Sequence, residues 1–244
     1  MPDMPFGILF VFAIFGLFVT VAVYAHKRNQ ARIASLVQLC AAKGWSFTPY
    51  DPFGLPRRWQ GDPFDQGYAR TASNVVTGTV GDHPMVAFDY TYKEDSTDSN
   101  GKRKTSTYHF AVVAIGMPCA LPELQVGPEG MFARIGKVLG MQDIELESED
   151  FNRRFRVRCP DPKLATDILT PRTMEHLLAN AAVRFRFAGS DAVAYDSGTL
   201  TPMGLLHAAH VVAGVVDGIP SFVWRDYGLT ERPVLPSPSP GNLT

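Results

Sequence analysis

The longest apolar run of the chain lies near its N-terminus and predicts a membrane-spanning helix. Between Phe6 and Ala25 the sequence reads FGILFVFAIFGLFVTVAVYA, in which Thr20 is the only clearly polar side chain. A helix of about 20 residues covers about 30 Å, the thickness of the hydrocarbon core of a bilayer. We therefore expect residues 1–32 to form a membrane anchor and its basic flank.

The charges on either side of this run predict its orientation. Asp3 precedes the run, whereas Lys27, Arg28 and Arg32 follow it closely. Because positive charge beside a span favours the cytoplasmic side, we expect the N-terminus outside the cell and the C-terminal domain in the cytoplasm. The same three basic residues form the predicted membrane flank, where contact with anionic lipid contributes about 1 kcal/mol per charge.

A cleaved secretory signal is the alternative to an anchor, because Val23-Tyr24-Ala25 loosely resembles a cleavage site. Secretory signals carry positive charge before an apolar core of roughly 7–15 residues. Here Asp3 comes first and the apolar core is longer, so we favour an uncleaved single-pass anchor in the cell membrane.

Residues 33–48 are predicted to contain an amphipathic helix that connects the anchor to a globular domain. Apolar side chains recur on one helical face at Ile33, Leu36, Val37 and Cys40. Gly44 follows as a natural C-terminal stop, since glycine adopts the left-handed conformation that ends many helices.

Strand and helix signals alternate over residues 49–230. Strands are predicted where β-branched or aromatic residues dominate or alternate with polar ones: 75–80, 86–92, 105–115, 121–126 (as an edge strand), 183–187 and 192–195. Helices are predicted at 131–139 and after the residue pairs Asp161-Pro162, Thr170-Pro171 and Thr201-Pro202. This mixture predicts an α+β domain, a mostly antiparallel sheet with packed helices, followed by a disordered Pro- and Ser-rich tail at 231–244.

A loop rich in proline, glycine and aromatic residues is predicted between residues 49 and 67. Its aromatic side chains Phe53, Trp59 and Phe64 are expected to hold the loop against the domain. The alternative is an interface for a protein partner, because conspicuous loop aromatics sometimes mark one.

Composition excludes several classes of protein. The formal net charge of −1 gives no basic excess for binding nucleic acid. An apolar content of 45% with 19% charged residues excludes global disorder. The cysteines Cys40, Cys119 and Cys159 are too few and too scattered for a disulfide framework or a cysteine metal site, and no cofactor is predicted.

Signals for catalysis are weak along the whole sequence. The motifs GxSxG and HExxH do not occur. Cys119 lies between Pro118 and Ala120, an apolar context typical of a buried thiol. His109 would act as its base only if the fold brought the two together.

Three residues of the last predicted helix form a weak candidate metal site, namely His207, His210 and Asp217. Helical geometry at 100° per residue places His210 and Asp217 within about 20° of each other. The apolar residues of this segment lie on the opposite face, so we favour a solvent-facing polar stripe over a metal site.

Charged and apolar residues alternate in three segments of the second half of the chain. The charged members are Asp143, Glu145 and Glu147; Arg154, Arg156 and Arg158; and Arg184 and Arg186. In strands, each set would lie on one face of a sheet. One interpretation pairs the acids with the arginines across neighbouring strands, at about 0.2–1 kcal/mol per pair. The other gives the surplus arginines to an anionic ligand, a phosphate or a lipid headgroup.

Four segments carry a resemblance to a group of known proteins: Val86–Tyr92, Val126–Gly130, Glu147–Phe155 and Ile219–Trp224. Behind one N-terminal span, they resemble an uncharacterised family of single-span actinobacterial membrane proteins, and the similarity covers residues 1–225. The resemblance implies an anchor followed by one α+β domain. It implies no activity, because none is established for that group.

Three classes of function follow from these patterns. The first hypothesis is a non-enzymatic scaffold or sensing domain at the inner membrane surface, whose partners are the bilayer and an unknown protein. The second is a module that binds an anionic ligand through the arginine-rich face. The third is a hydrolase that uses Cys119 or the pair His207 and His210.

Overall fold

The computed structural model describes residues 6–98, 101–128, 141–180 and 183–228, with side chains from residue 14 onward. The chain begins with helix α1 (Phe6–Lys43). Nine strands lie in the described part: β1 (Ser46–Tyr50), β2 (Tyr68–Val80), β3 (His83–Thr97), β4 (Arg103–Gly116), β5 (Gln125–Pro128), β6 (Gln142–Ile144), β7 (Phe155–Cys159), β8 (Phe185–Ala188) and β9 (Asp191–Ser197). The shorter helices are α2 (Glu149–Arg154), α3 (Pro162–Ile168), α4 (Pro171–Ala179), α5 (Pro202–Gly218) and α6 (Ser221–Asp226).

The strands form one sheet in the order β1-β2-β3-β4-β9-β8-β5-β7-β6. The β3–β4 hairpin keeps an unbroken register from Met85↔Ile115 to Thr97↔Arg103. β9 pairs with the other side of β4, so the second half of the chain extends the sheet that the first half begins. Every pairing between described strands is antiparallel, and the predicted α+β fold with a mostly antiparallel sheet is confirmed.

Apolar side chains occupy both faces of the central strands. On β3, Met85 and Ala87 belong to one core cluster, whereas Val86, Phe88 and Tyr90 belong to the other. Successive side chains of a strand point to opposite faces, so both faces of the sheet must be covered. Helices cover the first face and a loop covers the second.

The helical cover of the first face comes from both ends of the chain. Leu36 and Cys40 of α1 are buried in the same core as Val212 and Val216 of α5. Each pair is separated by four residues, the spacing that places side chains on one stripe of a helix. The C-terminal half of α1 is therefore part of the domain core.

The loop between β1 and β2 covers the second face. Trp59 stacks on Phe88 with ring centroids 6.0 Å apart, and Phe64 lies 5.2 Å from the ring of Tyr90. The prediction that loop aromatics hold this segment against the domain is confirmed for Trp59 and Phe64. Phe53 differs, because 46% of its surface is exposed.

Three helices begin where the sequence predicts. The side chains of Asp161, Thr170 and Thr201 accept hydrogen bonds from backbone N–H groups at the starts of α3, α4 and α5. Each cap is followed by proline, whose missing N–H would have no partner in the first turn of a helix.

The strand predicted at 121–126 overlaps the observed strand only at residues 125 and 126, and its predicted position at the edge of the sheet is wrong. The strand that forms is β5, and it lies inside the sheet between β8 and β7. Alternation along a segment indicates a strand but not its neighbours, which depend on contacts far along the chain. The predicted helix at 131–139 and the predicted tail at 231–244 lie outside the described residues.

All three alternating charged segments are shorter as strands than predicted. β8 begins at Phe185, so Arg184 lies outside it. β6 ends at Ile144, so Glu145 and Glu147 lie outside it. Arg154 ends α2, because Ser148 caps a short helix by accepting a hydrogen bond from the Phe151 backbone N–H.

Helix α1 is continuous through residue 32, the predicted boundary between the anchor and the connecting helix. Of the residues that the structure describes, no helix is long and apolar enough to cross a membrane. The predicted span Phe6–Ala25 is therefore not confirmed, and its side chains before Ile14 lie outside the described residues.

Arg32 joins α1 to the sheet. Its guanidinium lies 3.0 Å from a carboxylate oxygen of Asp89 on β3 and donates a 2.6 Å hydrogen bond to the Leu200 carbonyl. The Asp89 carboxylate also accepts hydrogen bonds from the Asn74 side chain and from the Leu200 backbone N–H. We call these four residues the Arg32 joint.

The Arg32 joint involves one of the three basic residues predicted to form the membrane flank. The side chains of Arg32 and Asp89 are only 13% and 7% exposed. The charge of Arg32 is therefore paired with Asp89 of the sheet. Lys27 and Arg28 are exposed on the same helix and remain the predicted membrane flank.

Replacing Arg32 with methionine is expected to destabilise the domain. Methionine keeps the apolar stem but leaves the Asp89 carboxylate buried without its cation, which costs about 3 kcal/mol. Thermal and denaturant unfolding of the full chain measure the loss. Lys27→Met, an exposed change on the same helix, is the matched control, and equal stability of the two variants would contradict the assigned role of Arg32.

Candidate functional site

The candidate site is a cavity between the loop after β1 and the strands β5 and β8, which we call the β5–β8 cavity. Its volume is about 530 Å³. Ligand pockets in proteins usually measure about 300–1,000 Å³, so the space suits a small molecule. The residues that line it are Arg58, Trp59, Gln60, Gly61, Asp62, Asp65, Glu123, Gln125, Arg186, Phe187, Ala188 and Gly189.

Arg186 is the buried cation of the cavity. It projects from β8, is 4% exposed, and donates hydrogen bonds to the backbone carbonyls of Gln60 and Asp62. Its guanidinium also lies 3.6 Å from a carboxylate oxygen of Glu123. These contacts tie the loop to the sheet, yet the Nε of Arg186 has no hydrogen-bond partner among the described residues.

Gln125 is the buried amide of the cavity. It begins β5, is 3% exposed, and pairs in register with Arg186 of β8 and Arg158 of β7. Its Nε2 donates a 2.8 Å hydrogen bond to the Glu123 carboxylate, which fixes the orientation of the amide. Within the described chain, the Oε1 of Gln125 is buried and accepts no hydrogen bond.

Asp191 lies behind the wall formed by Arg58 and Trp59. Its Oδ2 accepts hydrogen bonds of 2.9 Å from Arg58 Nε and from Trp59 Nε1. Burial raises the pKa of Asp191, and the nearby Arg58 charge opposes that rise. Its Oδ1 is the third buried side-chain oxygen or nitrogen without a partner in the part of the chain that the structure describes.

Gly61 lets the loop approach Arg186 closely. Its φ is +80°, in the left-handed region, and a Cβ at this position would collide with the Arg186 guanidinium. Only glycine satisfies both requirements without strain. The loop conformation and the position of Arg186 are therefore linked.

The arginines predicted to bind a ligand fall into separate environments. Arg186 lines the cavity, and Arg184 stacks over the Tyr195 ring at 4.0 Å. Arg158 and Arg156 lie 2.9 and 3.8 Å from Asp143, which supports the interpretation as ion pairs between β6 and β7. Arg154 is exposed at the end of α2. Binding of an anion by this set stays a prediction.

The three candidate metal residues do not meet at one place: His210 and Asp217 line the same cavity, and His207 does not. His207 lines a different cavity, beside β9. The ring of His210 lies 5.6 Å from that of His176, and Asp217 pairs with His83 at 2.8 Å. The described residues include no group of three side chains that could hold a metal ion.

Cys119 and His109 are also apart. Cys119 is 1% exposed, its Sγ lies 4.0 Å from the Trp224 carbonyl, and burial raises the pKa of its thiol. His109 is exposed in the middle of β4, opposite Thr91 of β3. A buried thiol with a raised pKa is a poor nucleophile.

Sequence reasoning missed Gln125, Asp191 and Gly61 as site residues. None of the three belongs to a motif, and their roles depend on strand neighbours and on the path of the loop. The one available signal was the aromatic loop itself, whose Trp59 and Phe64 pointed to a segment packed on the sheet.

Comparisons with known proteins find one family model that matches part of the chain and one similar solved structure. A family model described as "Protein of unknown function (DUF3137)" matches residues 124–191. A search of the curated proteins finds no match. The crystal structure of the mycobacterial trehalose monomycolate transport factor A, TtfA, is similar, with a TM-score of 0.57 and 12% identity over 76% of this chain and 93% of that chain.

These comparisons establish the fold and leave the activity open. At 12% identity, the similarity shows the fold, and a function must be argued from the site itself. Gln125, Arg186 and Asp191, the residues with unpartnered buried atoms, all lie within the segment that the family model matches.

Replacing Gly61 with alanine is expected to destabilise the loop more than replacing Gly54. Both glycines have a positive φ, +80° and +69°, so each substitution costs about 1–2 kcal/mol in backbone strain. Only at Gly61 does the new methyl group also meet Arg186, which adds about 1–3 kcal/mol. Thermal unfolding of both variants checks this, and equal losses would contradict the close contact.

The half-buried carboxyl of Asp62 is expected to make the free energy of unfolding fall as the pH rises. Burial raises its pKa above the ordinary value of 3.8, and the charges of Arg184 and Arg186 oppose that rise. The folded chain then binds this proton more tightly than the unfolded chain, so the free energy of unfolding falls as the pH rises through the folded pKa.

Urea unfolding of the Asp62→Asn variant between pH 3.5 and 6 tests this sign. The variant removes the titrating group and should lose less stability over this pH interval than the wild type. Asp82→Asn, an exposed change in the β2–β3 turn, controls for the removal of one carboxylate. Parallel pH profiles of Asp62→Asn and the wild type would refute the assignment.

Proposed function

We propose that this chain is a membrane-anchored, non-enzymatic accessory factor whose α+β domain acts at the inner membrane surface in the transport of a lipid. The observation that carries the proposal is the exposed apolar surface of α1 next to its rigid attachment to the sheet. This proposal is a more specific form of the first hypothesis, a scaffold or sensing domain, because it places the domain at the bilayer.

The described N-terminal part of α1 is apolar on all sides and packs against nothing in the domain. The exposed large apolar side chains are Ile14, Phe15, Leu17, Phe18, Val19, Val21, Val23 and Tyr24. Consecutive residues of a helix point 100° apart, so this set surrounds the axis rather than forming one stripe. Surfaces of this kind mark contact with a membrane or another protein.

A bilayer is the occupant that fits this surface best. An all-round apolar helix matches lipid, whereas a protein partner would require only one apolar face. Lys27 and Arg28 follow directly and are exposed, in the place where basic residues meet anionic headgroups on the cytoplasmic side. These features support an N-terminus outside the cell and a cytoplasmic domain.

The Arg32 joint supports a fixed distance between the bilayer and the domain. Along a helix, Ala25 and Arg32 are separated by about 10 Å. Because Arg32 is hydrogen-bonded to the Leu200 carbonyl and paired with Asp89, α1 is held in a fixed orientation relative to the sheet. A domain attached in this way stays next to the headgroups.

The transport role is supported by the fold. The similar structure, TtfA, is described as a trehalose monomycolate transport factor, and the similarity covers 93% of that chain. The non-enzymatic part of the proposal is supported by the burial of Cys119 and by the separation of His207 from His210.

Two lysines placed in the exposed part of α1 are expected to release the protein from membranes. The double variant Leu17→Lys, Phe18→Lys puts two charges into the apolar segment, each costing about 2.5–3.5 kcal/mol near the centre of a span. Wild-type chain should resist extraction of cell membranes with alkaline carbonate, whereas the variant should not.

Met203→Lys is the matched control for this experiment, because Met203 is 77% exposed but lies on α5. It should leave membrane association unchanged. Carbonate-resistant membrane association of the double variant would argue against insertion of α1.

A protease-cleavable tag after Thr244 is expected to be protected in intact cells and cut after lysis. The positive charge of Lys27 and Arg28 predicts this orientation, because such residues remain on the cytoplasmic side. Cleavage in intact cells would place the domain on the outer side and refute the proposed orientation.

A further inference from the structure

We propose that the β5–β8 cavity binds a neutral polyhydroxylated group, either a free saccharide or the sugar headgroup of a lipid. The inference depends on the unpartnered polar atoms of the cavity and not on the membrane anchor. It therefore goes beyond the proposed function, and either can fail without the other.

Two of the side chains that line the cavity each carry a buried polar atom without a partner among the described residues. Arg186 Nε is a buried donor and Gln125 Oε1 is a buried acceptor, and neither has a partner among the described residues. A carboxylate or a phosphodiester accepts hydrogen bonds only, and an ammonium group donates only, so each would leave one atom unsatisfied. A hydroxyl group both donates and accepts, and it is the group that serves both.

Charged side chains of both signs line the cavity. Arg58 and Arg186 face the carboxylates of Asp62, Asp65 and Glu123, so the lining has no positive excess. Phosphate binding normally requires basic groups that outnumber their partners. The balance opposes an anion here, which the arginine pattern of the sequence left open as an alternative to ion pairs.

The cavity offers many acceptors for the hydroxyl groups of a ligand. Among the described residues, Asp65 accepts a hydrogen bond from the Gly61 backbone, and Glu123 accepts one from the Gln125 amide and lies 3.6 Å from the Arg186 guanidinium. A carboxylate has about four acceptor positions, so most remain for the O–H groups of a ligand. The cavity thus offers a dense set of acceptors and one buried donor.

The walls of the cavity are preorganised, and its volume is large enough for a polyol. Arg186 is clamped by the Gln60 and Asp62 carbonyls, and Trp59 is fixed by stacking on Phe88, so the walls require little ordering when a ligand binds. A volume of about 530 Å³ is far larger than the roughly 30 Å³ of one water molecule. The space therefore accommodates a ring with several hydroxyl groups.

Direct binding tests the proposal on the full chain in micelles of a phosphocholine detergent, which carries no sugar. The probes are maltose, trehalose and myo-inositol as neutral polyols, and inorganic phosphate as the anion. Binding of each probe is measured by calorimetry and by saturation-transfer NMR. We expect at least one polyol to bind and phosphate not to bind. Failure of all three polyols, or binding of phosphate alone, overturns the proposal.

The variant Gln125→Met tests the site within the same assay. Methionine keeps the length of the side chain but removes the buried acceptor, so polyol affinity should fall about tenfold or more. Gln142→Met on β6 is the matched control, because Gln142 is exposed and lies outside the cavity. Equal affinities of Gln125→Met and the wild type would place binding elsewhere.

Hydrogen exchange of the wild-type chain provides a test that needs no variant to fold. Bound polyol should slow exchange of the backbone amides of residues 58–65, since the loop forms one wall of the cavity. Protection confined to other segments would refute the site. Comparing the affinities for dodecyl maltoside and maltose distinguishes a free saccharide from the sugar headgroup of a lipid. Equal affinities indicate a free saccharide, and tighter binding of the maltoside indicates a lipid headgroup.

Discussion

The buried ion pair between Arg32 and Asp89 is the constraint on which the arrangement of this protein depends. Neither charge is stable away from water without the other, and the Asn74 amide and Leu200 backbone satisfy their remaining groups. The pair therefore fixes three elements at one point: helix α1, the central strand β3 and the segment that leads into α5. An apolar helix that would otherwise be tethered loosely becomes a continuation of the domain core.

Much of the fold could be predicted from local sequence, because the interactions concerned lie within a few residues. The caps at Asp161, Thr170 and Thr201 and the alternation along β3 and β4 are of this kind. The role of Arg32 could not be predicted. A basic residue after an apolar run looks the same whether it faces lipid or an aspartate that lies 57 positions further along the chain.

The candidate site illustrates the same limit. The alternating arginines left two interpretations open, ion pairs with the acidic residues or a site for an anion. Strand order places Asp143 beside Arg158, as the first interpretation expects, and also brings Glu123 to Arg186. Gln125 acquires its role only because β5 lies between β8 and β7. The cavity is thus a product of topology and of a loop that covers the second face of the sheet. The same loop supplies its wall and its charge balance.

Hydrogen exchange of the full chain and of its Arg32→Met variant, followed by mass spectrometry, tests the central claim most directly. If α1 is part of the core through the Arg32 joint, amides of residues 32–43 exchange as slowly as those of β3 and β4 in the wild type. In the variant, exchange in 32–43 and around Leu200 should accelerate while the centre of the sheet stays protected. Fast exchange of 32–43 in the wild type, or no change in the variant, would contradict the account.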